Sequence, residues 1–194
     1  MARSTCFRVS SRRIGGQLLA MLLAAGLAVS LVGCGGTTAC DCTPTPGNPL
    51  DADSNQIVQS LNASRMAKGV PTVTVCYSLN VSAAAHSDDM RDNGYLSDVS
   101  PTTMSTVRTR ACSAMPSYAP ACSTTNLIPM AELVAEGNGD GTSTYAQWSS
   151  DMTAAPILIE APFVVVGVGH SIGATNEFWT LDLASQNDPS CTAP

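Results

Sequence analysis

The spacing of apolar residues predicts helices in the first half of the chain. Ile57, Val58 and Leu61 recur at helical intervals, which indicates an amphipathic helix. We place its N-cap at Ser54 and its end before Gly69, because serine favours helix starts and glycine favours helix ends. A second helix is predicted over 78–93, and its apolar stripe is Leu79, Ala83, His86 and Met90.

Weaker patterns follow these two helices. Residues 97–127 are rich in Ser, Thr, Pro and Cys, and we predict mostly loop there. A short helix is predicted over 129–136 and another over 143–152.

The pattern changes to that of strands near the end of the chain. A continuous β-branched run over 163–170 predicts a strand that is buried on both faces. A turn over 171–175 and an alternating segment over 176–184 complete a C-terminal hairpin. If the short extended segment 70–75 joins these strands, helices first and strands last give an α+β fold.

The amino terminus has the features of an export signal. Residues 1–13 are basic, and the apolar run 17–32 is shorter than the roughly 20 residues of a comfortable membrane span. The run leads into Leu-Val-Gly-Cys34, which resembles a bacterial lipobox, and this implies diacylation of Cys34. The alternative is an ordinary cleaved signal with an incidental cysteine.

These features divide the chain into three parts. We expect a lipoprotein signal peptide over 1–33, a lipidated Gly/Thr/Pro tether over 34–53 and a folded domain over 54–194. The expected location is the bacterial cell envelope, on the outer membrane if the cell is Gram-negative.

Six cysteines follow the lipobox, and this even number suits an oxidising compartment. Fifteen pairings are possible, and only Cys112 with Cys122 is predicted, because they bracket a short loop.

The net charge of the chain excludes nucleic acid as a partner. Without the signal the chain has five basic and fifteen acidic side chains, whereas nucleic-acid binding needs a basic face.

Several short motifs, taken in order, resemble the CAP superfamily (cysteine-rich secretory proteins, antigen 5 and pathogenesis-related 1 proteins), in its bacterial SCP-domain branch. The resemblance covers about residues 54–185. The motifs are Leu61-Asn62-x-x-Arg65, Leu79-x-x-x-Ala83-x-x-His86, Gly94-Tyr95-Leu96-Ser97-Asp98, Ala131-Glu132-Leu133-Val134-Ala135-x-Gly137, Trp148-x-x-Asp151 and Phe178-Trp179-Thr180-x-Asp182.

The resemblance implies a disulfide-stabilised α-β-α sandwich with a small antiparallel sheet. It also implies a cleft in which two histidines and acidic residues can hold a divalent cation. Here Asp98 and Ala154 stand at the two histidine positions, and only the glutamate is kept, as Glu132. We therefore expect a degenerate site with no metal and no other cofactor, apart from weak divalent-cation binding by two carboxylates.

Each candidate residue also has a structural interpretation. Glu132 is either a cleft carboxylate or a first-turn helix residue, and Asp98 is either a ligand or, by preference, a loop cap. His86 and His170 are general-base candidates by type, but we favour packing for His86 and a surface or turn position for His170. The resemblance predicts that the Asp98 and Glu132 carboxylates lie within about 10 Å of each other, the scale of an ordinary pocket.

These observations favour a binding module over an enzyme. What the resemblance implies for the cleft is a lipid, sterol or protein ligand, with the membrane contacted through the lipid anchor and no nucleic acid bound. The alternatives are a metal-assisted hydrolase of envelope material and a purely structural envelope protein.

Overall fold

A computed structural model describes residues 50–114, 122–186 and 191. The predicted signal, Cys34 and almost all of the predicted tether lie outside the described residues. Within the described ranges, no helix combines the length and the apolar character that a membrane crossing needs.

The first two helices are confirmed, with shifted starts. Helix α1 is Ala52–Ala67, and its N-cap is Asp51 rather than Ser54, because the Asp51 carboxylate accepts a hydrogen bond from the Ser54 N–H. Helix α2 is Tyr77–Asn93 and ends at Gly94, which has the left-handed conformation that glycine favours. All four residues of its predicted stripe are fully buried: Leu79, Ala83, His86 and Met90.

One prediction for the middle of the chain is refined and another is wrong. Most described residues of the segment 97–127 lie in loops, as predicted, but Val107–Ala114 form a helix, α3. The predicted helix over 129–136 is strand β2 (Met130–Glu136), which pairs along its whole length with another strand. Its Met, Ala, Glu and Leu residues favour helix locally, but sheet pairing overrides that weak preference.

The described residues also form helices α4 (Gly141–Ser150) and α5 (Ala154–Leu158). Their other strands are β1 (Thr74–Val75), β3 (Val165–Ile172) and β4 (Glu177–Ala184).

A four-stranded sheet in the order β1-β3-β4-β2 forms the middle layer. The C-terminal hairpin of β3 and β4 is confirmed, and β2 adds to β4 antiparallel. The short β1 pairs with β3 in parallel, so one pair of an otherwise antiparallel sheet is parallel.

Helices cover both faces of the sheet, which confirms the α-β-α sandwich. On one face α1, α4 and α5 pack on Val166, Val168, Trp179, Leu181 and Leu183. On the other face α2 and α3 pack on Val165 and Ala184. This double cover explains why β4 is buried along almost its whole length, although its sequence alternates.

Two side chains of α1 hold the chain segments that follow this helix in place. Asn62 makes paired hydrogen bonds with the backbone of Val73, donating to its carbonyl and accepting from its N–H. Arg65 is fully buried and donates to four backbone carbonyls, those of Pro71, Leu158, Glu160 and Phe163. Together they join α1 to β1 and to the segment between α5 and β3.

Two disulfides join described cysteines. The predicted Cys112–Cys122 bridge is confirmed. The second bridge, Cys76–Cys191, was not predicted, because the two cysteines are 115 residues apart in sequence. It attaches the C-terminal segment to the start of α2, and a crosslink that closes so long a loop removes much entropy from the unfolded chain.

Candidate functional site

A cleft of about 500 Å³ lies where the resemblance places the binding site. It is bounded by β2, by the loop after α2 and by the ends of α4 and α5. Asp98, Glu132 and Ala154 all line it, so the fold brings the three aligned positions together. The other lining residues are Leu96, Ser97, Leu133, Val134, Gln147, Trp148, Asp151 and Thr153.

The two predicted carboxylates occupy different environments in this cleft. Glu132 lies on β2, not in the first turn of a helix, and only 2% of its side chain is exposed. Asp98 is exposed. Its preferred role as a loop cap is filled by Ser97, whose hydroxyl accepts from the Val99 N–H.

Arg110 of α3 neutralises Glu132 directly. Its Nη2 lies 2.5 Å from both Glu132 carboxylate oxygens and donates to the Asp98 carbonyl at 3.0 Å. Its Nη1 donates to the Ser105 carbonyl. Because only 8% of the arginine side chain is exposed, this ion pair is largely screened from water. Arg110 therefore joins α3, β2 and the loop after α2.

His86 of α2 approaches the same glutamate from the other side. Its Nε2 donates to the Ser97 carbonyl at 2.8 Å and lies 3.5 Å from Glu132 Oε1. Burial lowers the pKa of His86, more than the attraction of Glu132 raises it, so the ring is neutral at neutral pH. Its Nδ1 is buried and makes no hydrogen bond to a described residue. His86 thus packs as expected and also holds the loop.

Asp182 of β4 adds a second buried acid beside Glu132. The two residues are direct register partners across β2 and β4. Burial, followed by the charge of Glu132, raises the pKa of Asp182 well above its ordinary value. Glu132 and Ser82 are close enough to shift this pKa, but neither forms a hydrogen bond of good geometry with the carboxyl group. Burial and the neighbouring charge therefore both favour the protonated form of Asp182.

These residues do not fit a divalent cation. Both Glu132 oxygens are occupied by Arg110, and the Nε2 of His86 is occupied by a backbone carbonyl. Ala154 supplies no donor at the second histidine position. Among the residues that the structure describes, no group of three His, Cys, Asp or Glu side chains is arranged to hold a metal ion.

Replacing Asp182 by asparagine should stabilise the protein at neutral pH. An unfolded aspartate titrates near pH 3.9. The pKa of Asp182 is higher in the folded protein, so above about pH 3.9 the folded state binds more protons than the unfolded state. The free energy of unfolding therefore falls as the pH rises towards the folded pKa of Asp182. Asp182→Asn removes that loss and should raise Tm at pH 7 by about 2–6 °C, as measured by circular dichroism from pH 5 to 9.

The matched control for that variant is Asp98→Asn, because Asp98 is an exposed acid in the neighbouring cleft. It should leave the slope of Tm against pH unchanged. A lower Tm for Asp182→Asn at pH 7 would show that the fold needs an ionised carboxylate there.

Sequence reasoning missed Arg110 and Asp182. Arg110 lies in a segment predicted as loop, and nothing local in sequence links it to Glu132, 22 residues later. The sequence did contain an indication for Asp182, because an acidic residue inside an otherwise buried strand needs a partner or a raised pKa.

His170 is part of β3, so the predicted turn position is wrong. Its ring stacks on Trp179 at 3.7 Å. Nδ1 faces Asp51 at 3.0 Å, and Nε2 faces Glu177 at 2.8 Å. His170 therefore joins the start of α1 to the hairpin, outside the cleft.

Two solved structures show the same fold. A protein of Bacillus anthracis described as an extracellular protein containing an SCP domain is 23% identical, with a TM-score of 0.55. The match covers 72% of this chain and 45% of that one, so this chain spans less than half of that protein. An outer surface protein of Borrelia burgdorferi has a TM-score of 0.60 at 10% identity, covering 72% of this chain and 97% of its own.

No curated protein matches the sequence. The family model of the cysteine-rich secretory proteins matches residues 58–183, which is well over half of the chain. The match includes α1 from its second turn, the three acids that line the cleft, Arg110 and all but the last residue of β4. The chain belongs to the CAP, or cysteine-rich secretory protein, family.

Proposed function

We propose that this protein is an exported lipoprotein of the bacterial cell envelope whose CAP domain binds a ligand or a protein partner in the cleft. The observation that carries the proposal is the ion pair between Arg110 and Glu132. A hydrolase of this cleft would use the glutamate as a general base or as a metal ligand. In this chain Arg110 pairs with both of its oxygens, which leaves a shaped cleft whose kept glutamate is not free to act as a base or to bind a metal ion.

Three observations support the location. The first residues have the pattern of a lipoprotein signal, with Cys34 as the lipidated residue. Disulfides are typical of exported proteins, and two join described cysteines. Two proteins of the same fold are described as extracellular and as an outer surface protein.

Filling the cleft should abolish ligand binding. Thr153 is exposed and lines the cleft, so Thr153→Trp places a large side chain in it. The mature protein, purified in detergent, is incubated with lipid and protein fractions of the envelope and analysed by native mass spectrometry. We expect the wild type to retain a ligand, with or without EDTA, and Thr153→Trp to lose at least tenfold of it.

The control is Met152→Trp, because Met152 is the neighbouring residue, is 92% exposed and does not line the cleft. It should bind like the wild type. Retention of the ligand by Thr153→Trp would place the site elsewhere. Hydrolysis of envelope material that EDTA abolishes and Zn²⁺ restores would favour the metal-assisted hydrolase instead.

A further inference from the structure

The cleft runs along the free edge of the sheet. Three consecutive residues of β2 line it, Glu132, Leu133 and Val134. Successive side chains of a strand point to opposite faces, so three in a row share a cleft only where the cleft follows the edge of the strand. Among the described residues β2 pairs only with β4, so it is an edge strand of the described sheet.

The register shows which backbone groups face the cleft. The Gly137 N–H donates to the Glu177 carbonyl, and the Ser185 N–H donates to the Pro129 carbonyl. These bonds place the odd-numbered residues of this segment in the ladder with β4, so the even-numbered ones point outward. The Trp148 Nε1, which donates to the Val134 carbonyl at 3.0 Å, agrees with this assignment.

Three outward groups remain for a ligand. Trp148 satisfies the Val134 carbonyl, but no hydrogen bond from a described residue reaches the N–H of Val134 or the N–H and carbonyl of Glu132. An edge with open donors and acceptors is a template for an added strand.

The charged residues around this edge indicate which kind of peptide would bind there as an added strand. Asp98 and Asp151 are exposed carboxylates in the cleft, and none of the lysines and arginines in the described ranges lines it. Arg110 is already paired with Glu132. The Oδ1 of Asp151 accepts hydrogen bonds from Thr153 and Ala154, but no cationic side chain of the described residues pairs with it. The cleft therefore presents net negative charge beside open backbone groups, which suits a basic peptide and repels anionic lipid headgroups.

We propose that the cleft binds an extended peptide segment carrying lysine or arginine, which pairs with β2 as an additional strand. This inference rests on the proposed binding function and names its ligand class. Backbone hydrogen bonds to Glu132 and Val134 supply affinity, and the basic side chains meet Asp98 and Asp151.

The test uses wild-type protein and a defined probe. The probe is a capped, fluorescein-labelled hexapeptide of alternating valine and lysine, and binding is measured by fluorescence anisotropy. One control peptide has the same sequence with alternate backbone nitrogens methylated, which removes strand donors and keeps the charge. A second has glutamate in place of lysine. We expect each control to bind at least tenfold more weakly than the probe.

Protein variants test the charges separately. Asp151→Asn and Asp98→Asn should each weaken probe binding about threefold or more at low salt, since each removes one attractive carboxylate. Asp92→Asn, an exposed acid of α2 that does not line the cleft, should not.

The possible failures are distinguishable. Equal affinity for the methylated and unmethylated probes would overturn strand pairing, and equal affinity for the lysine and glutamate peptides would overturn the basic preference. Absence of probe binding, while an envelope ligand is still lost in Thr153→Trp, would reject this ligand class and leave the proposed function intact.

Discussion

Replacing Arg65 by methionine should destabilise the fold by about 3–5 kcal/mol, the usual loss when a buried charged network is broken. The guanidinium is fully buried, and its four hydrogen bonds to backbone carbonyls measure 2.7 to 3.0 Å. Methionine fills similar space but removes the donor from all four carbonyls, of which those of Leu158 and Phe163 are buried. Since domains are stable by only about 5–15 kcal/mol, we expect a large fall in the urea midpoint.

Arg65→Lys distinguishes charge from geometry. Lysine keeps the positive charge but has no planar fork that reaches carbonyls on both sides, so it should recover less than half of the lost stability. The control is Arg91→Met. Arg91 is partly exposed and pairs with Asp88 and Asp92 on the surface, so its loss should barely change the midpoint. Similar midpoints for Arg65→Met and the wild type would show that water replaces the guanidinium.

The second large effect is expected at the contact between α2 and β3. A Cβ atom at Gly167 would lie 2.2 Å from the backbone of Leu79, and one at Gly169 would lie 2.2 Å from the backbone of Ala83. Both obstacles are backbone atoms of α2, so rotamer changes cannot relieve the clash. Gly167→Ala should destabilise the domain by about 3 kcal/mol or more, because the helix must move away from the sheet.

Thermal unfolding of Gly167→Ala measures this effect. The matched control is Gly139→Ala, since a Cβ there has only the end of the Glu177 side chain within reach, at 4.0 Å. It should leave Tm close to that of the wild type. A Tm for Gly167→Ala equal to that of Gly139→Ala would contradict the close packing of α2 on β3.

The family motifs acquire physical explanations in the structure. In Leu61-Asn62-x-x-Arg65, the leucine is fully buried, and the two polar residues hold the chain that leaves α1. In Trp148-x-x-Asp151, the indole donates to the edge of β2, and the aspartate accepts from the backbone at the start of α5. Each of these motifs fixes the type of a polar residue, because its side chain must bond a specific backbone segment. A residue type that is fixed in this way can be recognised in the sequence.

Local physics also explains the elements that were predicted correctly. The apolar stripe of α2 and its terminal Gly94 lie within one short segment, so helical periodicity and a left-handed stop suffice. The hairpin of β3 and β4 is likewise local, because a β-branched run and a turn lie side by side. The same reasoning predicted the wrong structure for β2, whose local preference is helical and whose pairing partner lies about 50 residues later.

Sequence alone therefore determined the α+β class and the family, and it predicts an export signal and Glu132 as the kept cleft acid. Tertiary structure decided the surroundings of that acid, because Arg110 from a separate helix pairs with it and Asp182 from the neighbouring strand lies beside it. It also decided which backbone edge lines the cleft and how Cys76 is paired. The physical reason is that ion pairs, strand edges and disulfides depend on distances in space, which the order of residues along a chain does not specify.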